Sequence, residues 1–210
     1  MKKKLTNLIN ITFMFCIMFC VFIVSFHQIV KAKSVVFSNW YSDEDWVGYW
    51  GSAPKVFFTN LNDSYNVSLD VNTAVNKWTS AGISSSVTVT PTNASIKYYG
   101  GTKAQLNGIG FTYTSEAVGL TMWDSYTTAA DANLGYSVKK LYAVSASTST
   151  STKAANRTNV TMHEYGHALG WYGHILNDDR ANVMYREEQS RTTLSSKDKK
   201  QLTQAYNAMK

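Results

Sequence analysis

Apolar residues at Val67, Val71, Ala74, Val75 and Trp78 recur at the spacing of one helical face about four turns long. Gly82 stands where such a helix would end. Lys55 to Thr59 reads as a first strand. Downstream the period changes to two: Ser86 to Thr90 alternates strictly, Pro91-Thr92-Asn93 turns, and Ser95 to Tyr99 runs on to Gly100-Gly101. Ile109 to Thr114, Val118 to Trp123 and Val138 to Val144 are three further predicted strands. The Ser/Thr tract Ser145 to Thr152 reads as a loop or a solvated edge. Helical character returns from about Ala154. A final helix places Leu202, Ala205, Tyr206 and Met209 on one face, opened by the capping-box pattern Ser195-Ser-Lys-Asp198. This order of elements predicts an α+β fold, one domain built on a mixed sheet.

Two stretches have no such period. Val35 to Pro54 carries Trp40, Tyr41, Trp46, Tyr49 and Trp50 around the acidic run Asp43-Glu44-Asp45, and reads as an irregular arm packed on the body. Core filling and an aromatic ligand patch are both open to it. The chain begins with Lys2, Lys3 and Lys4, followed by an apolar run from Ile11 to Phe26. Val30-Lys31-Ala32 then offers a small-residue cleavage site. That is the pattern of a secretory signal peptide over residues 1–32, and the apolar run is shorter than the roughly 20 residues of a spanning helix. The expected organisation is a leader (1–32), an arm or short pro-segment (33–54) and a domain (55–210). A secreted, extracellular protein is expected, with a cell-surface anchor as the alternative if the leader is retained.

Charge and cysteine content now change the picture. The formal charge of +6 suggests an anionic partner, but Lys2, Lys3, Lys4 and Lys31 lie in the leader, which has no Asp or Glu. The remainder holds 16 basic against 14 acidic residues. No nucleic-acid partner is therefore expected, and a membrane partner only through an uncleaved leader. Both cysteines, Cys16 and Cys20, also belong to the leader. After cleavage neither a disulfide nor a thiol nucleophile remains. The domain must be held by its core, and a monomer is expected.

The densest chemistry lies in His163-Glu164-Tyr165-Gly166-His167-Ala168-Leu169-Gly170-Trp171-Tyr172-Gly173-His174. Residues four apart on a helix share a face, with Cβ atoms about 5–6 Å apart, so His163 and His167 can reach one metal ion. Glu164 sits beside them, placed to take a proton from water at that metal. Two imidazoles and a third ligand leave one tetrahedral position open, as catalytic zinc requires. The five-residue pattern also arises on ordinary core helices. The histidine census argues otherwise: of four histidines, His27 leaves with the leader and the other three all fall between 163 and 174.

From these residues the sequence resembles the metzincin clan of zinc endopeptidases, and within it the matrixin-like branch. That pattern is His-Glu-x-x-His-x-x-Gly-x-x-His, followed by a methionine in a tight turn beneath the metal. His163, Glu164, His167 and Gly170 occupy matching places, Asn182-Val-Met184-Tyr185 resembles the Met-turn, and Leu194 to Tyr206 is similar to the C-terminal helix of matrixins. The resemblance implies a single catalytic domain with a mixed, mostly parallel twisted sheet, an active-site helix and a C-terminal helix. It also implies one catalytic Zn²⁺, Glu164 as general base, and Met184 as a structural floor. Protein or peptide substrate would lie extended along an edge strand, for which Val118 to Trp123 is the candidate. The latency motif of animal matrixins needs a cysteine, and the mature chain has none. The astacin-like tyrosine two residues after the methionine is replaced by Arg186.

One departure leaves the third ligand open. The family places a histidine where this chain has Gly173, and His174 follows one position later. Either Gly173 absorbs an extra residue and His174 completes the shell, or Glu187 does so, as a glutamate does in thermolysin-like enzymes. A non-catalytic secreted binding protein on the same fold is the alternative from another class. Asn66, Asn93, Asn156 and Asn159 match the glycosylation pattern, the last two in or beside the metal-binding helix, and are read as coincidental. Asp124, Asp131 and Asp178-Asp179 could in principle contribute to calcium binding, but they show no known loop spacing and are read as solvated acids.

Overall fold

The computed structural model describes the backbone of residues 48–114, 116–131, 136–147, 154–171, 173–175 and 180–208. Side chains of residues 65, 123–147, 204, 205 and 208 are outside that description, as are the leader, most of the aromatic arm, residues 148–153 of the Ser/Thr tract and Asp178-Asp179. The elements are β1 (Gly48–Tyr49), β2 (Lys55–Asn60), α1 (Ser68–Ser80), β3 (Ser86–Val87), β4 (Ile96–Gly100), α2 (Lys103–Gly108), β5 (Gly119–Asp131), β6 (Tyr136–Ser147), α3 (Ala154–Leu169) and α4 (Ser196–Ala208).

The strands form one six-stranded mixed sheet in which every pairing is parallel except that of β5 with β6. Strand β2 lies between β3 and β4. Strand β6 takes β4 over Ala143–Ser147, β1 over Lys139–Lys140, and β5 along its whole length. Strand β5 is therefore an edge, pairing with β6 alone among the described residues. The α+β expectation and the mostly parallel sheet both hold. No helix among the described residues is long and apolar enough to cross a membrane.

Helix α1 follows its periodicity. Val71, Ala74, Val75 and Trp78 are all buried, Val67 is buried just before the first turn, and the Ile83 amide donates to the Trp78 carbonyl as the chain leaves through Gly82. The main core gathers these side chains with Ile96 and Tyr98 of β4, Met162, Tyr165 and Leu169 of α3, and Leu202 of α4. The Ser195 and Asp198 capping box is present: the Ser195 amide donates to Asp198 at 2.7 Å and the Asp198 amide to Ser195 Oγ at 3.0 Å. Trp50 of the arm is buried in the same core, its Nε1 donating to the Ala168 carbonyl at 2.9 Å. The arm is thus not wholly irregular: β1 pairs with β6, and Trp50 fills core upstream of Lys55.

Three sequence expectations need correction. Ile109 to Thr114 is not a strand. A capping box between Thr102 and Gln105 starts the short helix α2, and its exit returns the Phe111 amide to the Leu106 carbonyl at 3.1 Å. Phe111 and Tyr113 then close a small apolar cluster with Leu106, so their spacing of two serves that cluster and not a sheet. Ser145 to Ser147 is not loop but the end of β6, paired with both β5 and β4. Strand β3 stops at Val87, because Thr88 makes the last amide bond to β2 and Val89 points into solvent.

Candidate metal centre

Every residue of α3 from Asn159 to Leu169 is buried, which is unusual for a helix that carries five polar side chains in that span. His163 and His167 share one face by their spacing. Gly170 ends the helix with φ +123°, a dihedral that side-chain-bearing residues rarely adopt. Its amide donates to the His167 carbonyl at 2.9 Å and the Trp171 amide to the Gly166 carbonyl at 3.1 Å. This double bond pattern is the glycine-terminated helix end, and it reverses the chain. Gly173 then takes φ +74°, and His174 returns toward the helix. One ligand nitrogen from each of His163, His167 and His174 lies within 4.8 Å of the others. The structure thus brings His174 to the site, and Gly173 supplies the unusual dihedral that the extra residue needs.

The hydrogen bonds fix what these rings offer. His163 Nδ1 lies 2.8 Å from the Val183 carbonyl, and His167 Nδ1 lies 2.7 Å from the Trp171 carbonyl. A carbonyl can only accept, so both Nδ1 atoms carry the proton. Burial first, then the neighbouring His174, lowers His163 to about 3, although its bond to Val183 opposes the shift. Burial and both other imidazoles also push His167 well down, against the bond to Trp171. Both rings are therefore neutral, and each Nε2 presents a lone pair. Those two atoms face each other 3.0 Å apart. Two buried lone pairs in contact repel unless a cation or proton lies between them. Nitrogens in a tetrahedral zinc shell are roughly 3.3 Å apart, given bonds of about 2.0–2.1 Å. The donor set and its spacing suit one metal ion held by three imidazoles.

Met184 lies under this site. It is fully buried, and a β-carbon built on Gly166 would stand 2.5 Å from its sulfur and 2.8 Å from Trp78 Cζ2. Gly166 therefore lets the sulfur approach the helix backbone between the two ligand positions. The turn holding Met184 is anchored from α4, where Asp198 accepts the amides of Val183 at 2.9 Å and Met184 at 3.1 Å. The Val183 carbonyl is the one that orients His163, so Asp198 supports that ligand through a single peptide unit. The Ile175 amide also donates to the Met184 carbonyl at 3.0 Å, tying the segment after His174 to the same turn.

Glu164 faces the edge strand. Thr121 Oγ1 lies 2.9 Å from the Glu164 carbonyl and 2.7 Å from Oε2. A hydroxyl can donate to a carboxylate or accept from a carboxylic acid, so this contact suits either form of the side chain. Burial raises the Glu164 pKa to about 8, and the Thr121 hydrogen bond opposes the rise. Such a group exchanges a proton near neutral pH. Beside it opens a cleft of about 440 Å³, lined by Glu116, Val118, Gly119, His163, Glu164, His174 and Tyr185 among others.

Glu187, the alternative ligand, lines the cleft but pairs with Arg180 at 3.1 Å and is half exposed; it is not in the ligand cluster. Asn159 is unsuited to a glycan: it is buried, and it bonds the Arg191 carbonyl and the Gln189 amide. Asp124 and Asp131 have no described side chains, so the calcium reading falls outside the described residues. Sequence reasoning did not single out Gly166, Gly119 or Thr121, and it read Asp198 only as a cap. The strand alternation puts 119 and 121 on one face, but nothing local says that this face meets Glu164. No protein-family model matches the chain, and no curated protein gives a significant match to it.

Proposed function

We propose that this protein is a zinc endopeptidase of metzincin type, matrixin-like from its His163–His174 segment to its C-terminal helix, and that it is exported by its leader. The observation carrying this reading is the convergence of three imidazoles, two of them with their Nε2 lone pairs facing each other, one residue from a buried carboxyl group beside a cleft. His163, His167 and His174 would hold the ion. Zinc, when bound, supplies Lewis acidity that acidifies water and polarises a carbonyl.

The remaining chemistry belongs to the chain. Glu164 accepts the proton of the attacking water and returns it to the leaving amine, which its raised pKa suits. Thr121 faces its carboxyl group throughout. The Val183 and Trp171 carbonyls keep His163 and His167 in the tautomer that leaves Nε2 free to bind metal. Strand β5, with one edge not taken by β6, offers main-chain groups to which an extended peptide can add as a further strand.

The test compares wild type with Glu164→Ala on a mixed peptide library, read by mass spectrometry, with zinc content measured in parallel. Products from wild type alone are expected, together with a rate loss of about 10²–10⁴ in the variant and full zinc in both. Zinc in both proteins with products from neither would instead identify a non-catalytic metal-binding module. His174→Ala is expected to lose its zinc, and a variant that kept one ion per chain would remove His174 from the shell.

A further inference from the structure

On the face of α3 that carries Glu164, the neighbour is not another helix but the first residues of the edge strand. Alternation along β5 directs Gly119 and Thr121 to one side. Leu120 and Met122 go to the other, where they pack on the Leu106, Phe111 and Tyr113 cluster. On the facing side Thr121 Oγ1 touches two oxygens of one residue, the Glu164 carbonyl at 2.9 Å and Oε2 at 2.7 Å. Gly119 meets the same side chain: a β-carbon built there would fall 2.6 Å from Glu164 Cγ and 2.7 Å from Cδ, well inside van der Waals contact. The carboxyl group thus occupies the space that a side chain at 119 would fill.

We propose that β5 positions the general base: Thr121 is a positioning residue that holds the Glu164 carboxyl group, and Gly119 leaves the room in which it is held. The inference rests on the reading of Glu164 as base and adds the residues that aim it. A glutamate has three rotatable side-chain bonds, and an unheld one would sample several rotamers in an open cleft. The single Thr121 hydroxyl lies within hydrogen-bond distance of both the Glu164 carbonyl and Oε2, so it ties the carboxyl end of that side chain to its own backbone, donating to one oxygen at a time. Because the same strand carries the edge to which peptide is proposed to add, the base and the scissile bond would be referenced to one element.

Two substitutions disturb this arrangement by different means. Thr121→Val keeps the shape and removes the hydroxyl, while Thr121→Ser keeps the hydroxyl and removes a methyl group. Gly119→Ala keeps the hydroxyl and displaces the carboxyl group sterically. Its φ lies outside the left-handed range, so alanine fits the backbone there. Full-length protein of each variant would be loaded with zinc and assayed for metal content, kcat and KM on a peptide cleaved by wild type. A crystal structure of each would be solved. The expected result is one zinc per chain in all, kcat down about 10- to 100-fold in Thr121→Val and Gly119→Ala, KM within about threefold, and Thr121→Ser within about threefold of wild type. A Thr121→Val enzyme with wild-type kcat overturns the proposal, as does a kcat loss that tracks zinc loss or that serine fails to rescue. If wild type cleaves no peptide, the peptidase reading falls and the crystal structures still decide the positioning: a Glu164 carboxyl group displaced by more than about 1 Å in both Thr121→Val and Gly119→Ala supports it, and an unmoved one overturns it.

Discussion

Helices α1 and α3 pack against each other, yet they obey opposite rules. Helix α1 buries an apolar stripe with a single polar residue beside it, Asp70, which accepts from Thr158 of α3, and turns Leu69, Asn72, Asn76 and Lys77 to solvent. Helix α3 is buried on all sides over its last three turns, polar residues included. Burying Asn159, His163, Glu164 and His167 is unfavourable unless each finds a partner. Each does, and always off the helix: the Gln189 amide and Arg191 carbonyl, the Val183 carbonyl, Thr121, and the Trp171 carbonyl. An amphipathic helix tells where the core is. A polar helix inside the core tells where the chemistry is, because stability alone would have chosen apolar residues there.

The sharpest way to break this comparison is to attack the contact between the two helices. Trp78 of α1 is fully buried, donates from Nε1 to the Met162 carbonyl at 3.0 Å and flanks Gly166. Trp78→Ala should cost about 3–5 kcal/mol of stability, since it leaves a large cavity and removes a buried hydrogen bond between the two helices. Urea denaturation measures it. A loss below about 1 kcal/mol would mean that α3 does not depend on α1 for its placement.

A smaller effect sharpens the other half. Asp198→Asn keeps the size of the side chain but turns an amide NH₂ toward one of the backbone donors that the carboxylate now accepts. The turn carrying Val183 would shift, and with it the carbonyl that fixes His163. Zinc affinity should fall about 10- to 100-fold in a competition titration. Unchanged affinity would confine Asp198 to capping α4.

These contrasts also mark how far the sequence could be read. The stripe of α1 and the capping box of α4 were legible because both signals are local: a period of 3.6 and two residues three apart. The His163, Glu164, His167 and His174 constellation was legible for the same reason, since one helix and one turn carry all of it. Gly119 and Thr121 were not. They reach Glu164 across more than forty positions of chain, and only the packing of β5 on α3 brings them together. Phe111 and Tyr113 misled for a related reason: alternation reports that residues share a face, and cannot say whether that face belongs to a sheet or to a satellite cluster. Nothing in the Ser/Thr composition of Ser145 to Ser147 disclosed a strand, because its ladder is made by backbone with neighbours on both sides.

The smallest expected effect tests whether α1 is as ordinary as it looks. Asn72 lies on its exposed face, and its Nδ2 donates to the Ser68 carbonyl at 2.7 Å, one turn back. Alanine has the higher helix propensity, by up to about 0.7 kcal/mol, while the lost bond competes with water and is worth little at the surface. The two terms nearly cancel, so Asn72→Ala should change stability by no more than about 0.5 kcal/mol, with any residue of the balance stabilising. Zinc content and peptide cleavage should not change. A substitution equally conservative in size on α3, Asn159→Ala, removes two tertiary partners at once and should be clearly destabilising in the same denaturation experiment. Equal effects at the two positions would erase the distinction between the helices, because it would mean that the buried polar partners of α3 contribute no more than a solvated surface bond.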